Sequence, residues 1–271
     1  MQKTGIESFD YSWNPITGCY FLCPYCYAPK LAALQGDYDF KPAFHPERLH
    51  ETAKLKAGII FQGSAGEAFG DWVSRDWIDQ VIAAEHENPR VTYMNLTKNP
   101  KRYIELVEGE TDYLEIKGQE RKPIIMNRDK HIWLGTTLDL DYSSPKAPSV
   151  QERLATINLL EYPRKWLSIE PFAVKMIDEY KKLLSSLNVQ WILIGVRTKP
   201  LPVLSRQDYS IIESFVKWLG ENRIPVFVKN SIVQHDKRPY PTKWPRAFPL
   251  GVKLATKNVD LKTPVYQDKL Y

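Results

Sequence analysis

The sequence predicts a single wound α/β domain, either an open sheet or a barrel-like one. Short apolar, β-rich runs alternate with amphipathic helical stretches along most of the 271 residues, which is the pattern of a parallel sheet covered by helices. The strand candidates are close to continuously apolar, as strands buried on both faces must be. With 43% hydrophobic residues, the chain is able to bury a sizeable core.

Seven strand candidates follow one another along the chain. They are residues 9–13, 58–62, 91–96, 132–136, 165–169, 191–195 and 224–229. Helical stretches lie between them at residues 75–86, 99–107, 149–160, 174–187 and 205–222. The third of these has a start signal, because Ser149 precedes Glu152 by three positions in a capping-box pattern.

Two segments depart from this alternation. A charged insertion lies near residues 108–130, where it reads as a loop or small hairpin. The C-terminal extension, residues 231–271, is rich in proline and lysine. We expect residues 1–230 to form the main domain and the extension to pack on it.

All three cysteines of the chain lie within eight residues, as Cys19, Cys23 and Cys26 in the spacing C-x3-C-x2-C. A disulfide would use two thiols and leave the third, so the spacing indicates a metal site. Structural zinc normally takes four ligands, and the fourth would have to come from elsewhere, for example from His45. An iron–sulfur cluster held by three cysteines instead leaves one iron free to bind another molecule.

The charge balance mildly favours an anionic partner. The net charge is +5 and the pI is near 8.9, which suits nucleic acid or a nucleotide but equally a solvated basic surface. No apolar run approaches the ~18 residues of a membrane helix, and the N-terminus lacks a signal-peptide pattern. We therefore expect a cytoplasmic protein with no membrane partner, in a compartment that keeps thiols reduced.

Polar residues follow six of the predicted strands, at the point where each strand ends. In parallel α/β domains ligands bind at the carboxyl ends of the strands, so these residues are candidates for one shared site. The six segments are residues 63–67, 97–100, 136–139, 168–171, 195–198 and 229–230. Among them Lys98, Arg197 and Lys229 would offer positive charge to an anionic ligand.

The cysteine spacing, with Tyr25 directly before the third cysteine, resembles the signature of the radical S-adenosylmethionine (SAM) superfamily. The phrases SWNPITGC, CYA, LTKNP, WLGTTLD, LSIEPF, WILIG and FVK occur in this order between residues 11 and 229. Together they resemble a phage- and prophage-associated radical SAM-like family of uncharacterised function. The resemblance implies a partial (β/α)6 TIM-type barrel with the cysteine loop after its first strand.

The resemblance also implies a cofactor arrangement. Cys19, Cys23 and Cys26 would bind three irons of a [4Fe-4S] cluster, and the fourth iron would bind the amino and carboxylate groups of SAM. An electron from the cluster would then break the sulfonium carbon–sulfur bond and give a 5'-deoxyadenosyl radical. A reductant such as flavodoxin or ferredoxin would supply that electron.

Individual residues take roles in the SAM site by this resemblance. Tyr25 would lie near the adenine, and the segment with Gly63, Ser64 and Glu67 would receive the methionine amino group. Ser168 and Glu170 would bind the ribose hydroxyls, since a carboxylate accepts two such hydrogen bonds well. The remaining candidates at the strand ends are Thr137, Gly195 and Lys229.

The chain departs from the family pattern in two places. The segment Gly63-Ser64-Ala65-Gly66-Glu67 replaces the usual Gly-Gly-Glu form, and Arg197 stands where relatives tend to carry an acid after the WILIG-type strand. The second change reverses the local charge and alters what the site accepts.

Four functions follow as hypotheses. The leading one is a radical SAM enzyme whose first candidate substrate is nucleic acid or a nucleotide. The alternatives are a zinc-containing nucleic-acid-binding protein, a barrel that binds SAM without cleaving it, and a radical SAM enzyme that modifies peptides. The last is weakened because no further cysteine remains for an auxiliary cluster.

Overall fold

The computed structural model describes residues 1–108, 124–126, 128–197, 202–233, 236, 243–249 and 252. Its strands are β1 (Gln2–Lys3), β2 (Tyr11–Trp13), β3 (Ile16–Thr17), β4 (Ala43–Phe44), β5 (Ile59–Gln62), β6 (Thr92–Thr97), β7 (Ile132–Thr137), β8 (Lys165–Ile169), β9 (Trp191–Ile194) and β10 (Val226–Val228). Its α-helices are α1 (Ala28–Leu34), α2 (Arg75–Glu87), α3 (Lys101–Val107), α4 (Val150–Leu159), α5 (Ile177–Leu184), α6 (Arg206–Glu221) and α7 (Asn230–Val233). Short 3-10 helices cover Pro46–Thr52, Leu140–Tyr142 and Val174–Met176.

Eight of these strands form one curled sheet in the order β1-β2-β5-β6-β7-β8-β9-β10. β1 pairs antiparallel with β2, and every other neighbouring pair is parallel. Parallel neighbours require crossover connections, and α2 to α6 supply those from β5 to β10 on the outer face of the sheet, whereas the connection from β2 to β5 contains α1. The result is a half-barrel, and the predicted partial TIM-type α/β fold is confirmed.

Each of the seven predicted strands corresponds to a parallel strand of this sheet, and each of the five predicted helices is present. The predicted helix at residues 174–187 is shorter than expected, because its first turn is a 3-10 helix and α5 ends at Leu184. The two-residue strands β1, β3 and β4 are additional, since so short a segment carries no readable periodicity. The capping box is confirmed, with Ser149 Oγ accepting from the Glu152 amide and the Glu152 carboxylate accepting from the Ser149 amide.

Two hydrophobic cores lie on the two faces of the sheet. The outer core joins the strands to the helices and includes Ile60, Tyr93 and Leu167. The inner core fills the concave face with aromatic rings, among them Phe9, which stacks on Phe61 with ring centroids 4.7 Å apart. The inner rings form the floor beneath the carboxyl ends of the strands.

Gly135 shows how one strand of the inner core makes room for its neighbour. A Cβ at this position would lie 2.3 Å from Nε1 of Trp166. That indole instead crosses over β7 and donates a hydrogen bond of 3.0 Å to the backbone oxygen of Asn95. A glycine in the middle of a strand thus marks a close approach by a neighbouring side chain.

A buried polar group lies on the outer face, between α2 and the sheet. Glu85 is fully buried, and one carboxylate oxygen accepts a 3.1 Å hydrogen bond from the Asn95 amide nitrogen. Gln62 is the register partner of Asn95 on β5 and is also fully buried. Burial raises the pKa of Glu85 to about 8, although the bond from Asn95 acts in the opposite direction.

Most of the predicted insertion and extension, as well as residue 198, lies outside the described residues. The described part of the extension lies against β10, where the Val228 amide donates to the Pro245 oxygen at 2.9 Å. Val252 joins the inner core. Within the described residues, no helix has both the length and the apolar character to cross a membrane.

Candidate functional site

A cavity of about 540 Å³ opens at the carboxyl ends of the parallel strands, above the inner aromatic floor. Its volume lies within the roughly 300–1,000 Å³ typical of cofactor sites. All three cysteines line it, and so do the predicted cofactor residues Tyr25, Gly63, Ser64, Glu67, Thr137, Ser168, Glu170 and Lys229. The sequence predicts one shared site at the strand ends, and the fold brings these residues together there.

The cysteine loop, residues 18–27, is tied to the end of β5 by backbone contacts. The Gly18 amide donates to the Ala65 oxygen at 3.1 Å, and the Glu67 amide donates to the Gly18 oxygen at 3.0 Å. Gly66 permits this approach, because a Cβ there would lie 2.7 Å from the Thr17 Cα. The variant glycine pattern after β5 thus fixes the loop that carries the thiols.

Asn14 holds the same segment from the other side. Its side-chain oxygen accepts from the Ala65 amide at 2.9 Å, and its amide nitrogen donates to the Ser64 hydroxyl at 2.9 Å. Tyr27, just after the third cysteine, donates from its hydroxyl to the Ser64 oxygen at 3.0 Å. Ser64 is therefore engaged on both its hydroxyl and its carbonyl.

The three thiols are free and partly buried. Burial raises the pKa of all three, that of Cys19 to about 12. Lys98 partly offsets the increase at Cys23 and Cys26. Because thiolate is the form that binds metal, loading such a site releases protons.

The donor set of the cysteine loop is three thiols, which is the number that a cluster held by three cysteines uses. Among the described residues, no three His, Cys, Asp or Glu side chains converge closely enough to hold one metal ion. The thiolates of a [4Fe-4S] cluster bind different irons and need not converge on one point.

His45, the candidate fourth zinc ligand, does not point to the thiols. Its Nε2 is 2.9 Å from the Thr17 hydroxyl, and its Nδ1 is 3.4 Å from a Glu47 carboxylate oxygen. With both ring nitrogens so placed, His45 is unsuited to complete a zinc site with the cysteines.

Glu67 lies at the cavity wall but is already engaged by the chain. One carboxylate oxygen accepts from the Thr97 hydroxyl at 2.6 Å and the Phe69 amide at 3.1 Å. The other accepts from the Lys98 amide at 3.0 Å. Burial raises its pKa against the effect of these bonds. Glu67 therefore joins the ends of β5 and β6, and only its remaining lone pairs are open to a ligand.

Tyr25 belongs to a buried charged network that the sequence did not reveal. Its hydroxyl donates to Asp139 at 2.7 Å and accepts from Lys98 Nζ at 2.6 Å. Lys98 Nζ also contacts Asp139 at 2.8 Å, and Arg153 on α4 contacts the other Asp139 oxygen at 2.7 Å. The network anchors the cysteine loop to the ends of β6 and β7.

Asp139 remains ionised within this network. Burial alone would raise its pKa, but the neighbouring Lys98 and Arg153 outweigh that effect and lower the pKa to about 2. The cations accordingly keep a charged partner at neutral pH.

The opposite wall carries an ion pair between Glu170 and Lys229. Lys229 Nζ lies 2.8 Å from both carboxylate oxygens of Glu170. Gly195 stands directly behind the pair, and a Cβ there would lie 2.8 Å from Glu170 Oε1 and 2.9 Å from Lys229 Cδ. Gly195 thus shapes this wall by leaving room for the pair. Ser168, on the strand before Glu170, is buried at the same edge.

Charged residues also rim this side of the cavity. The Arg197 guanidinium lies 5.7 Å from the centre of the Tyr142 ring. Glu7 accepts a 2.5 Å hydrogen bond from the Asn230 amide and lies 3.3 Å from Arg246. Glu7 joins the start of the chain to the far edge of the half-barrel.

The sequence indicated Asp139 only as part of a strand end, and it did not indicate Arg153 or Asn14 as residues of the site. Arg153 had one readable signal, because it lies on the face of α4 that also buries Val150, Leu154 and Ile157. A charged residue on the apolar face of a helix requires a buried partner. Asn14 lies in a short loop and had no comparable signal.

The chain is similar to one family of proteins and to a set of solved structures. A family model described as "Protein of unknown function (DUF5131)" matches residues 3–200. The curated proteins compared with the chain include no match.

Solved structures of spore photoproduct lyase share the fold. One, complexed with dinucleoside spore photoproduct, has a TM-score of 0.52 at 11% identity, covering 80% of this chain and 63% of that one. A mutant with bound AdoMet and dinucleoside spore photoproduct has a TM-score of 0.52 at 10% identity, with the same coverage. The chain thus spans 63% of the length of these structures. Identity this low shows likeness of fold alone.

Proposed function

We propose a function for this chain, which belongs to the DUF5131 family, from the chemistry of its site: it is a radical SAM enzyme. The observation that carries the proposal is that all three cysteines of the C-x3-C-x2-C loop open into one cavity with the polar strand ends. The shared fold with a structure that contains bound AdoMet supports it.

Cys19, Cys23 and Cys26 would hold a [4Fe-4S] cluster, whose chemistry with SAM is to supply the electron that breaks the sulfonium carbon–sulfur bond. The residues of the chain bind and orient SAM at the cavity wall. Ser168 offers a hydroxyl, and Glu170 offers carboxylate lone pairs beyond those used by Lys229. Thr137 and, within the cysteine loop, Tyr25 also line the cavity.

The cavity floor presents apolar side chains to the reacting region. Phe9, Phe61, Leu96, Trp166 and Leu193 line it with apolar surface. An apolar floor protects a reactive radical from side reactions, which is a general function of closed active sites.

The substrate we propose is a nucleic acid or a nucleotide. Three features support this class: the net charge of +5, the Arg197 guanidinium at the cavity rim, and the dinucleoside bound by the structural relatives. Flavodoxin or ferredoxin is the proposed electron donor, and we propose a cytoplasmic protein.

Anaerobic reconstitution with iron and sulfide tests the proposal. We expect about four irons per chain, a broad visible absorbance, and 5'-deoxyadenosine released from SAM after reduction. Cys23→Ala should abolish cleavage, whereas Lys182→Ala, on an exposed part of α5, should not.

Two results would overturn the proposal. One is zinc without iron after anaerobic purification, which would favour the zinc alternative. The other is a reduced, fully loaded cluster that leaves SAM intact.

A further inference from the structure

Lys98 is a buried cation beside the cysteine loop. Its side chain is 11% exposed, and its Nζ donates to the Tyr25 hydroxyl and to Asp139. These two bonds leave at most one of its three donors for a ligand. A lysine that only received an anionic substrate would not need this internal framework.

The network around Lys98 carries an excess of positive charge. Lys98 and Arg153 are cations, Asp139 is their shared anion, and both Asp139 and Arg153 are fully buried. Tyr25 donates a hydrogen bond from its hydroxyl to Asp139 and so adds no charge. These four side chains together carry one net positive charge, and the neighbouring Glu67 carboxyl, which accepts from the Lys98 amide, has its pKa raised by burial.

This charge acts on the cysteines. Tyr25, which joins the network to the loop, lies between Cys23 and Cys26 in sequence. Lys98 and the three cysteines line the same cavity, and Lys98 Nζ lies 5.3 Å from the centre of the Tyr25 ring. Lys98 therefore brings a positive charge to the cavity wall beside the cysteine loop.

We propose that Lys98, held in place by Asp139 and Tyr25, sets the reduction potential of the cluster bound at the three cysteines. This inference rests on the proposed function. A [4Fe-4S] core of charge 2+ with three thiolates carries one net negative charge, and the electron taken from the reductant makes it two. Lys98 stabilises the more negative state, makes no bond in the step and keeps its proton. Net charge and hydrogen bonding are among the factors by which proteins tune such potentials.

The test is a spectroscopic redox titration of the anaerobically reconstituted protein with dithionite. Lys98→Met removes the positive charge and should lower the reduced-to-oxidised ratio at fixed potential by about tenfold, a shift of about 59 mV for one electron. Lys98→Arg should restore most of the potential. Lys165→Met is the matched control, because Lys165 is also buried but begins β8 at the opposite end of the sheet. Its potential should match the wild type.

Asp139→Asn distinguishes an electrostatic role from a structural one. It removes the anion and leaves more net positive charge, so the potential should rise where Lys98→Met lowers it. Loss of structure alone would move both variants in the same direction. Partial loading does not affect the test, because the potential of the loaded fraction is independent of occupancy.

The two proposals fail in different ways. A wild-type protein that takes up no iron would overturn the proposed function. Suppose that the wild-type protein binds the cluster and cleaves SAM. If the clusters of Lys98→Met and Asp139→Asn then have the same reduction potential as the wild-type cluster, this inference alone is overturned. If neither Lys98→Met nor Asp139→Asn loads a cluster, Lys98 is needed to assemble the site, and the inference that it sets the potential also fails.

Discussion

Replacing Glu85 by glutamine should remove a pH dependence of stability imposed by this one buried carboxyl. Its pKa is about 8 in the folded chain, because burial penalises the charged form, against a reference value of 4.5. Between these values the folded state holds a proton that the unfolded state has released. The stabilisation is complete below about pH 4.5 and is lost as the pH rises towards 8.

The magnitude follows from the same difference in pKa. Each pH unit in this window costs about 1.4 kcal/mol, so at pH 7 the folded wild type has lost about 3 kcal/mol. Glu85→Gln keeps the shape and the acceptor for the Asn95 amide but has no proton to release. Its own amide can donate to Asn95 Oδ1, which has no hydrogen-bond partner within the described structure.

Urea unfolding at pH 5, 6, 7 and 8 measures the effect. The stability of Glu85→Gln relative to wild type should rise by about 1.4 kcal/mol per pH unit, because all other titrating groups are shared. Glu87→Gln is the control on the same helix, since the Glu87 side chain is 57% exposed. It should stay within about 0.5 kcal/mol of wild type throughout. A difference between Glu85→Gln and wild type that is constant from pH 5 to 8 would refute the reasoning.

Three further predictions concern the cavity. Gly66→Ala should lower iron uptake, measured as iron per chain, because its Cβ would lie 2.7 Å from the Thr17 backbone. Gly5→Ala is the control, because its Cβ would meet no atom within 4 Å, and it should take up iron normally. Asp139→Asn should destabilise the apo chain by about 3–5 kcal/mol in denaturant unfolding, because it leaves two buried cations without their anion. A loss of stability below about 1 kcal/mol would contradict the role of Asp139 as that anion. His45→Ala should leave the metal content unchanged, and a loss of metal would return the zinc hypothesis to first place.

The sheet could be predicted from the sequence because its strands are buried on both faces. Apolar runs such as residues 132–136 and 191–195 have no other stable environment in a chain of this composition. Helix α1 was not predicted, because most of its residues are not buried. Among its residues only Ala28 is buried, while Leu31 and Leu34 are 51% and 83% exposed, so its apolar residues do not mark a core-facing stripe.

The position of the site was also readable, because parallel strands place their carboxyl ends at one edge. Its internal bonding was not. Glu67 was predicted, with Gly63 and Ser64, to receive the methionine amino group, and the sequence did not indicate that it also accepts hydrogen bonds from Phe69, Thr97 and Lys98. Such pairings depend on which strand ends become neighbours and on side-chain direction, and spacing along the chain does not encode either. The network through Arg153 crosses four separate segments and is a tertiary property.

The order of the strands has a consequence for synthesis on the ribosome. From β2 onward each strand of the large sheet pairs with the strand made just before it in that sheet, so the sheet can grow in the direction of translation. The wall with the cysteines is made first, but its anchor, Arg153, emerges more than a hundred residues after the cysteine loop. The bond between Glu7 and Asn230 spans 223 positions and forms only after residue 230 has been made. Nascent chains halted before residue 230 would therefore carry the thiols in a half-barrel whose two edges are not yet joined.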